Sequence, residues 1–296
     1  MYIYLLCIIS LLSFTYMNNN YSQIRDSSFP YISGDSFRAL ANHIFDETNK
    51  SLNPKDIKYK DIIFVKTDYL NLFFTKIHPN IQQKYILITH NSDDSAPGKF
   101  EHYVYDKKIL YWFGQNPTIM NNEKFIPIPI GIANRCWSHG NIDVFNKTLK
   151  NLYIEKNYLL GINFRVGTAP SIRNEVFNFF SNKSFCKNLY SEKLEIYLQN
   201  MSEAKFILSP AGNGLDCHRT WEALLMGAIP ILKTSMLDEL LLDLPILIIK
   251  DWHEVTEEFL EKKSEEIKNN FHNYNLAKIY FLYWQKLIEF YRDKLS

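Results

Sequence analysis

Residues 209–222 read SPAGNGLDCHRTWE, and their types and spacing suit an anion. Ser209, Gly212, Asn213 and Gly214 form a turn-rich loop in which missing side chains let a phosphate approach the backbone. Arg219 offers a planar fork of donors matched to phosphate oxygens. Glu222 follows three residues later, on the same helical face, where a carboxylate can accept from the two hydroxyls of a ribose. Loop, Arg219 and Glu222 together suit a nucleoside diphosphate. An ordinary tight turn followed by a solvated Arg–Glu pair fits the same spacing.

Such residues need a strand before the loop and a helix after it. Phe206-Ile207-Leu208 is an apolar run short enough for a buried strand. Asp216 is placed to cap the helix that follows, and His218 to Met226 has helical apolar spacing with Trp221, Leu224 and Leu225 on one side. Gly227 stops that helix, and Ile229 to Leu232 forms the next strand. A helix start in this position presents backbone N–H groups with partial positive charge.

SPAGNGLDCHRTWEALLMGAIPI resembles the nucleotide-sugar motif of exostosin-like glycosyltransferases: Ser/Cys-Pro, a Gly-Asn/Asp-Gly loop, an Arg, then Glu-Ala and Gly-x-Ile-Pro. The likeness is dense over Phe206 to Ile231. It is looser at THNSD (89–93) and in the Pro/Ile-rich run near 126–132. The resemblance implies an α/β fold of the GT-B type, two Rossmann-like halves facing a cleft. It also implies direct displacement at the anomeric carbon, with inversion, by a hexosyl- or pentosyltransferase.

The 296 residues suffice for two domains of ordinary size, and 46% hydrophobic with 15% aromatic content supplies a substantial core. A net charge of +1 argues against a nucleic-acid partner. Tyr2 to Met17 is apolar and uncharged but shorter than the roughly 20 residues of a spanning helix. It suits a signal peptide or short signal anchor over 1–17, with a linker at 18–28. A working leader implies the secretory lumen or a membrane tether through residues 2–17. Cys7, Cys136, Cys186 and Cys217 show neither disulfide nor zinc spacing. Sequons at Asn20, Asn49, Asn146, Asn182 and Asn200 matter only if that leader acts.

Residues 29–150 form an expected acceptor-side domain. Asp35 to Phe45 has helical spacing. Strands are expected at Asp61–Val65, Tyr85–Thr89 and Ile109–Phe113, with a helix from Leu70. Prolines 127 and 129 reduce Phe125 to Ile132 to an edge or irregular segment. The strand at 85–89 stops at His90-Asn91-Ser92-Asp93-Asp94. Ligands of open parallel sheets bind beyond the carboxyl ends of strands, so His90 and Asp93 are candidate bases, with Asp93 preferred. An Asx turn capped by an aspartate fits the same residues. Trp137 could stack on a sugar, and His139 is a further base candidate; a core Trp and a surface His fit equally. Asp93-Asp94 is not the Asp-x-Asp of metal-dependent enzymes, so neither metal nor cofactor is expected.

Residues 151–296 form the expected nucleotide-sugar domain with terminal helices. Tyr158 to Phe164 is its first strand. Arg165 stands at the strand's end, where a phosphate would lie. Ser171 is expected to cap a helix through Phe180, with Arg173 on the surface. Helices follow at Ser191–Met201, Met236–Leu241, Thr256–Asn269 and Lys278–Lys294, and a strand at Leu244–Ile249. The resemblance implies that the last helix crosses back to the first half.

The resulting expectation is a metal-independent glycosyltransferase whose donor is a nucleotide-diphospho-sugar and whose acceptor is a glycan or glycoprotein. Arg165, Ser209, Gly212, Asn213, Gly214, Arg219 and Glu222 bind the donor, and Asp93 or His90 takes the proton. A non-catalytic carbohydrate- or nucleotide-binding protein on the same fold is the alternative. A phosphosugar-processing enzyme would need Cys217 or His218 as its reactive group.

Overall fold

The computed structural model describes residues 25–152 and 155–294, so the expected leader at 1–17 lies outside the described residues. Among the described residues ten strands form two five-stranded sheets, and every strand pair is parallel. The first sheet holds β1 (His43–Phe45), β2 (Ile62–Lys66), β3 (Tyr85–His90), β4 (Ile109–Gly114) and β5 (Phe125–Pro127), in sequence order. Its middle strands are buried on both faces, which explains their nearly continuous apolar runs. The proline-bearing β5 lies at an edge, where a missing N–H is tolerated.

The stretch 35–45 is not one helix. Helix α1 covers only Gly34–Ala39, capped by Ser33. His43–Phe45 instead pairs in parallel with Ile63–Val65. Asn42 drives the change, because its side chain accepts from the Ile62 amide at 2.8 Å. His43 adds a 2.7 Å contact to Asp61.

Sequential strand order has a structural cost. Right-handed crossovers all fall on one face of such a sheet, leaving the other bare. One face carries Ile63, Val65, Leu87 and Trp112, packed with Phe73, Phe74 and Ile81 from the connections. The alternate residues Ile62, Phe64, Ile86, Ile88 and Phe113 face the other way. They are covered by α1, by α2 (Ile142–Lys150) and by the final helix.

The second sheet contains β6 (Tyr158–Ile162), β7 (Cys186–Asn188), β8 (Ala204–Leu208), β9 (Ile229–Lys233) and β10 (Leu247–Ile249), in the order β10-β9-β8-β6-β7. Its order reverses at β6 and β8, the kind of point where open α/β sheets take ligands. Helices α3 (Pro170–Phe180), α4 (Leu194–Ser202), α5 (His218–Leu225), α6 (Asp238–Leu241) and α7 (Glu257–Asn269) complete this half. Ser171 does not cap α3; Ala169 holds that position and Pro170 opens the helix.

Helix α8 (Phe281–Asp293) returns to the first half. Phe281 meets Phe37 edge-on at 5.1 Å, and Tyr291 meets Tyr111 at 4.7 Å. The Phe281 amide bonds to the Pro30 carbonyl at 3.0 Å, tying the two segments together. Trp284 is buried and its indole donates to the Lys278 carbonyl at 2.9 Å. Trp284→Ala should therefore destabilise the protein by about 3–5 kcal/mol. Urea denaturation followed by tyrosine fluorescence checks this, and a shift below 1 kcal/mol (~ the surface range) would mean α8 packs loosely.

Candidate active site

Two adjoining cavities open at the carboxyl ends of the two sheets. The cavity above the first sheet, about 670 Å³, is lined by residues at or just beyond the ends of β1 to β4: Glu47, Lys66, His90 to Asp93 and Gln115. The cavity above the second, about 560 Å³, is lined by Arg165 after β6 and by Gly212, Asn213, Gly214, Arg219 and Glu222 after β8. Asp93, Ile130 and His218 line both.

The anion-binding loop has the strand–loop–helix frame expected of it. Arg219 is 6% exposed, and its Nε donates to the Asn163 carbonyl at 3.0 Å. Its Nη1 reaches the Pro210 carbonyl at 3.2 Å, and the guanidinium lies over the Phe164 ring at 5.2 Å. Nη2 has no hydrogen-bond partner among the described residues, so one arm of the fork remains for a ligand. Ser209 does not line the cavity. Its Oγ lies 2.9 Å from Thr220 Oγ1 and 3.4 Å from Arg219 Nη1, so it positions the arginine.

Arg173 is not on the surface; it is 5% exposed and lines the second cavity. Its Nε donates to the Ala211 carbonyl at 3.1 Å and its Nη1 to the Arg165 carbonyl at 2.9 Å. A Cβ on Gly212 would meet Arg173 Nη2 at 2.9 Å, so this glycine makes room for the guanidinium. Burial, and then the neighbouring Arg219, lower the Arg173 pKa from its usual value. Exposed Arg165 stands at the cavity wall. None of these three arginines forms an ion pair among the described residues.

Glu222 is 4% exposed and faces the same cavity. Its Oε2 accepts from the Tyr197 hydroxyl at 2.8 Å. Desolvation pushes its pKa up to about 7, against the lowering effect of Tyr197 and Arg219. Sequence reasoning missed Tyr197 and Asn163, which carry no motif and act only through their positions.

Asp216 does not cap α5. Cys217 holds that position and supplies no side-chain cap. The buried Asp216 carboxylate instead accepts from the Ile130 amide at 2.8 Å and from the Trp221 indole at 3.0 Å. Its own amide donates to Asn116 Oδ1 at 2.9 Å. A Cβ on Gly214 would meet Asn116 Nδ2 at 2.7 Å, so this glycine serves the close approach of the two halves. Burial pushes the Asp216 pKa up to about 6.

His90 is 1% exposed. Its Nε2 lies 3.0 Å from the Pro129 carbonyl, and its Nδ1 accepts from the Asn91 amide at 2.6 Å. Both nitrogens are occupied, and desolvation lowers the pKa to about 4. His90 is thus a neutral, satisfied residue. Asp93 is exposed and faces the loop, where its Oδ2 accepts from Asn213 Nδ2 at 3.3 Å. Trp137 is 61% exposed at the first cavity's rim, with its ring 26° from that of His139 at 6.3 Å. Among the described residues no group of three or more His, Cys, Asp or Glu side chains could hold a metal ion. No described helix is long and apolar enough to cross a membrane.

Residues 172–291 match the family model described as the RXYLT1 C-terminal domain. The match runs from the first turn of α3 into α8 and takes in the loop at 209–222. Among solved structures, a chain of the GtfA/B complex is 13% identical, with a TM-score of 0.38 over 81% of this chain. This chain spans 59% of that one. A glycosyltransferase from Rickettsia africae ESF-5 is 10% identical, with a TM-score of 0.39 over 80% of this chain and 77% of its own. The pneumococcal O-GlcNAc transferase GtfA, in complex with UDP and GlcNAc, is 11% identical, with a TM-score of 0.35 over 80% of this chain and 58% of its own. No curated protein gives a significant match.

Glu222 and Asp216 make stability depend on pH. Both folded pKa values, about 7 and about 6, are raised above the ordinary 4.5 and 3.8. Their contribution is complete below about pH 4 and is lost as pH rises through 6 and 7. His90 and His218, with folded pKa values lowered from 6.5 to about 4, act in the opposite sense and add stability as pH rises. The test is therefore relative to wild type: Glu222→Gln, where Tyr197 keeps its acceptor, should gain in urea midpoint over wild type as pH rises from 5 to 8; a difference that does not change with pH would show that Glu222 titrates normally.

Proposed function

We propose that this protein is a glycosyltransferase that moves a sugar from a nucleotide-diphospho-sugar to a hydroxyl of a glycan or glycoprotein. One observation carries the reading. Arg165, Arg173 and Arg219 gather round a cavity at the strand-order reversal, with no carboxylate paired to any of them among the described residues. Two adjacent buried guanidiniums with no ion-pair partner are costly unless an anion joins them.

In this reading the diphosphate lies against the arginines and the start of α5. The Glu222 carboxylate accepts from the ribose hydroxyls. The acceptor occupies the first cavity, with Trp137 as a stacking platform at the rim. Arg25 and Lys66 there are matched by Asp35, Glu47 and Asp68, so that cavity offers little unpaired positive charge. The acceptor hydroxyl attacks the anomeric carbon from the side opposite the diphosphate, which inverts the configuration. The guanidiniums stabilise the negative charge that develops on the departing diphosphate. They do so without a metal ion. A functional leader would deliver the enzyme to the secretory lumen or its membrane, where glycan acceptors are found. A purely binding protein would need no titratable group at the junction of the cavities, and Asp93 and His218 stand there.

Nucleotide binding tests this directly. Arg219→Ala and Glu222→Gln should each weaken UDP or GDP binding about tenfold or more, since a charge-assisted bond contributes roughly 1.5–3 kcal/mol. Calorimetry on variants shown to be folded measures it; unchanged affinity in the double variant refutes the donor site. Turnover of the active nucleotide sugar should also survive EDTA. Complete loss, restored by manganese or magnesium, would overturn the metal-free mechanism.

A further inference from the structure

A transfer between two cavities fixes where the proton must go. The attacking oxygen comes from the first cavity and the anomeric carbon from the second, so the proton acceptor must reach their junction. Among the described residues, Asp93 and His218 are the only titratable ones that line both. They differ in preparation. Asp93 is exposed, and one of its oxygens is held by Asn213. His218 is half-buried as the first residue of α5, and its Nδ1 lies 2.7 Å from the Gly131 carbonyl. A carbonyl can only accept, so Nδ1 carries the hydrogen and Nε2 carries the lone pair. Nε2 has no protein partner among the described residues.

We propose that His218 is the proton acceptor of the transfer, an assignment that rests on the glycosyltransferase reading above. As the acceptor oxygen bonds to the anomeric carbon, its O–H bond breaks and the proton passes to His218 Nε2. The bond from the anomeric carbon to the diphosphate breaks, and the diphosphate leaves with the electron pair. The proton then passes from the imidazolium to water in the open cleft. The Asp93 carboxylate favours the imidazolium, while His139 and Arg219 oppose it. Burial keeps the resting ring neutral by pushing its pKa down to about 4, so the base form prevails at neutral pH.

His218→Asn separates the roles, because the asparagine amide can still donate to Gly131 but offers no Nε2. Nucleoside diphosphate release from a panel of UDP- and GDP-sugars, with water as acceptor, gives turnover; calorimetry with UDP and GDP gives binding. Turnover of His218→Asn should fall about 10²–10⁴-fold with nucleotide affinity unchanged. Added imidazole should restore turnover to His218→Ala, a rescue that a structural role does not predict. The proposal is overturned if folded His218→Asn stays within a few-fold of wild type. It is equally overturned if Asp93→Asn alone abolishes turnover, or if His218→Asn loses nucleotide binding. Wild type that binds neither nucleotide refutes the donor reading itself. Wild type that binds but is unaffected by the substitution refutes only the role of His218.

Discussion

The arrangement of the two cavities depends on one buried carboxylate. Asp216 sits in the second half, yet it accepts the Ile130 amide of the first. A carboxylate without water is stable only when its lone pairs are matched by donors. Here the donors are the Ile130 amide from across the interface, the Trp221 indole from α5 and the neighbouring Cys217 amide. Losing any of them leaves a desolvated group at a cost of about 1–3 kcal/mol. Asp216 therefore fixes the spacing between the proline-rich segment after β5 and the start of α5. His218, two residues on, bonds to Gly131 one residue past Ile130, in the same register.

The electrostatics divide along the same line. Charges round the first cavity are compensated locally: Arg25 by Asp35, and Lys66 by Glu47 and Asp68. Round the second they are not: Arg173 and Arg219 are held by carbonyl groups, and Arg165 stands exposed at the wall. Carbonyls orient a guanidinium without cancelling its charge. In the proposed reading, that difference suits one cavity to the diphosphate and the other to a hydroxyl-rich acceptor.

Much of this was legible in the sequence where a pattern is local. Buried parallel strands announce themselves as apolar runs, so β2, β3, β4 and β6 were found within a residue or two. The Gly-rich loop and α5 were found because turn residues and helical spacing lie side by side. What failed depends on distant partners. Asp216 looks like a cap because helix starts favour aspartate, but its partner is Ile130 from far along the chain. Arg173 looks like a surface residue because arginines usually are, and nothing local reveals the carbonyls of Ala211 and Arg165. His43–Phe45 follows a helical pattern until Asn42 is paired with β2. That Asp93 lies at the cavities was legible from its place after a strand; His90 shares that place but is closed by Pro129 and Asn91.

The return of α8 to the first sheet sets an order of events during synthesis. Tyr111 and Phe113 of β4 wait for Tyr291, and Phe37 of α1 waits for Phe281. The ribosome delivers those residues only after the whole of the second half. Domains usually mature from the amino end as they emerge. Here the leading half stays incomplete, with an apolar face open to water and to neighbouring chains, until the trailing half has been made. The nascent protein thus depends on whatever shields that face in the interval, and a ribosome stalled anywhere between α2 and α8 would leave an aggregation-prone product.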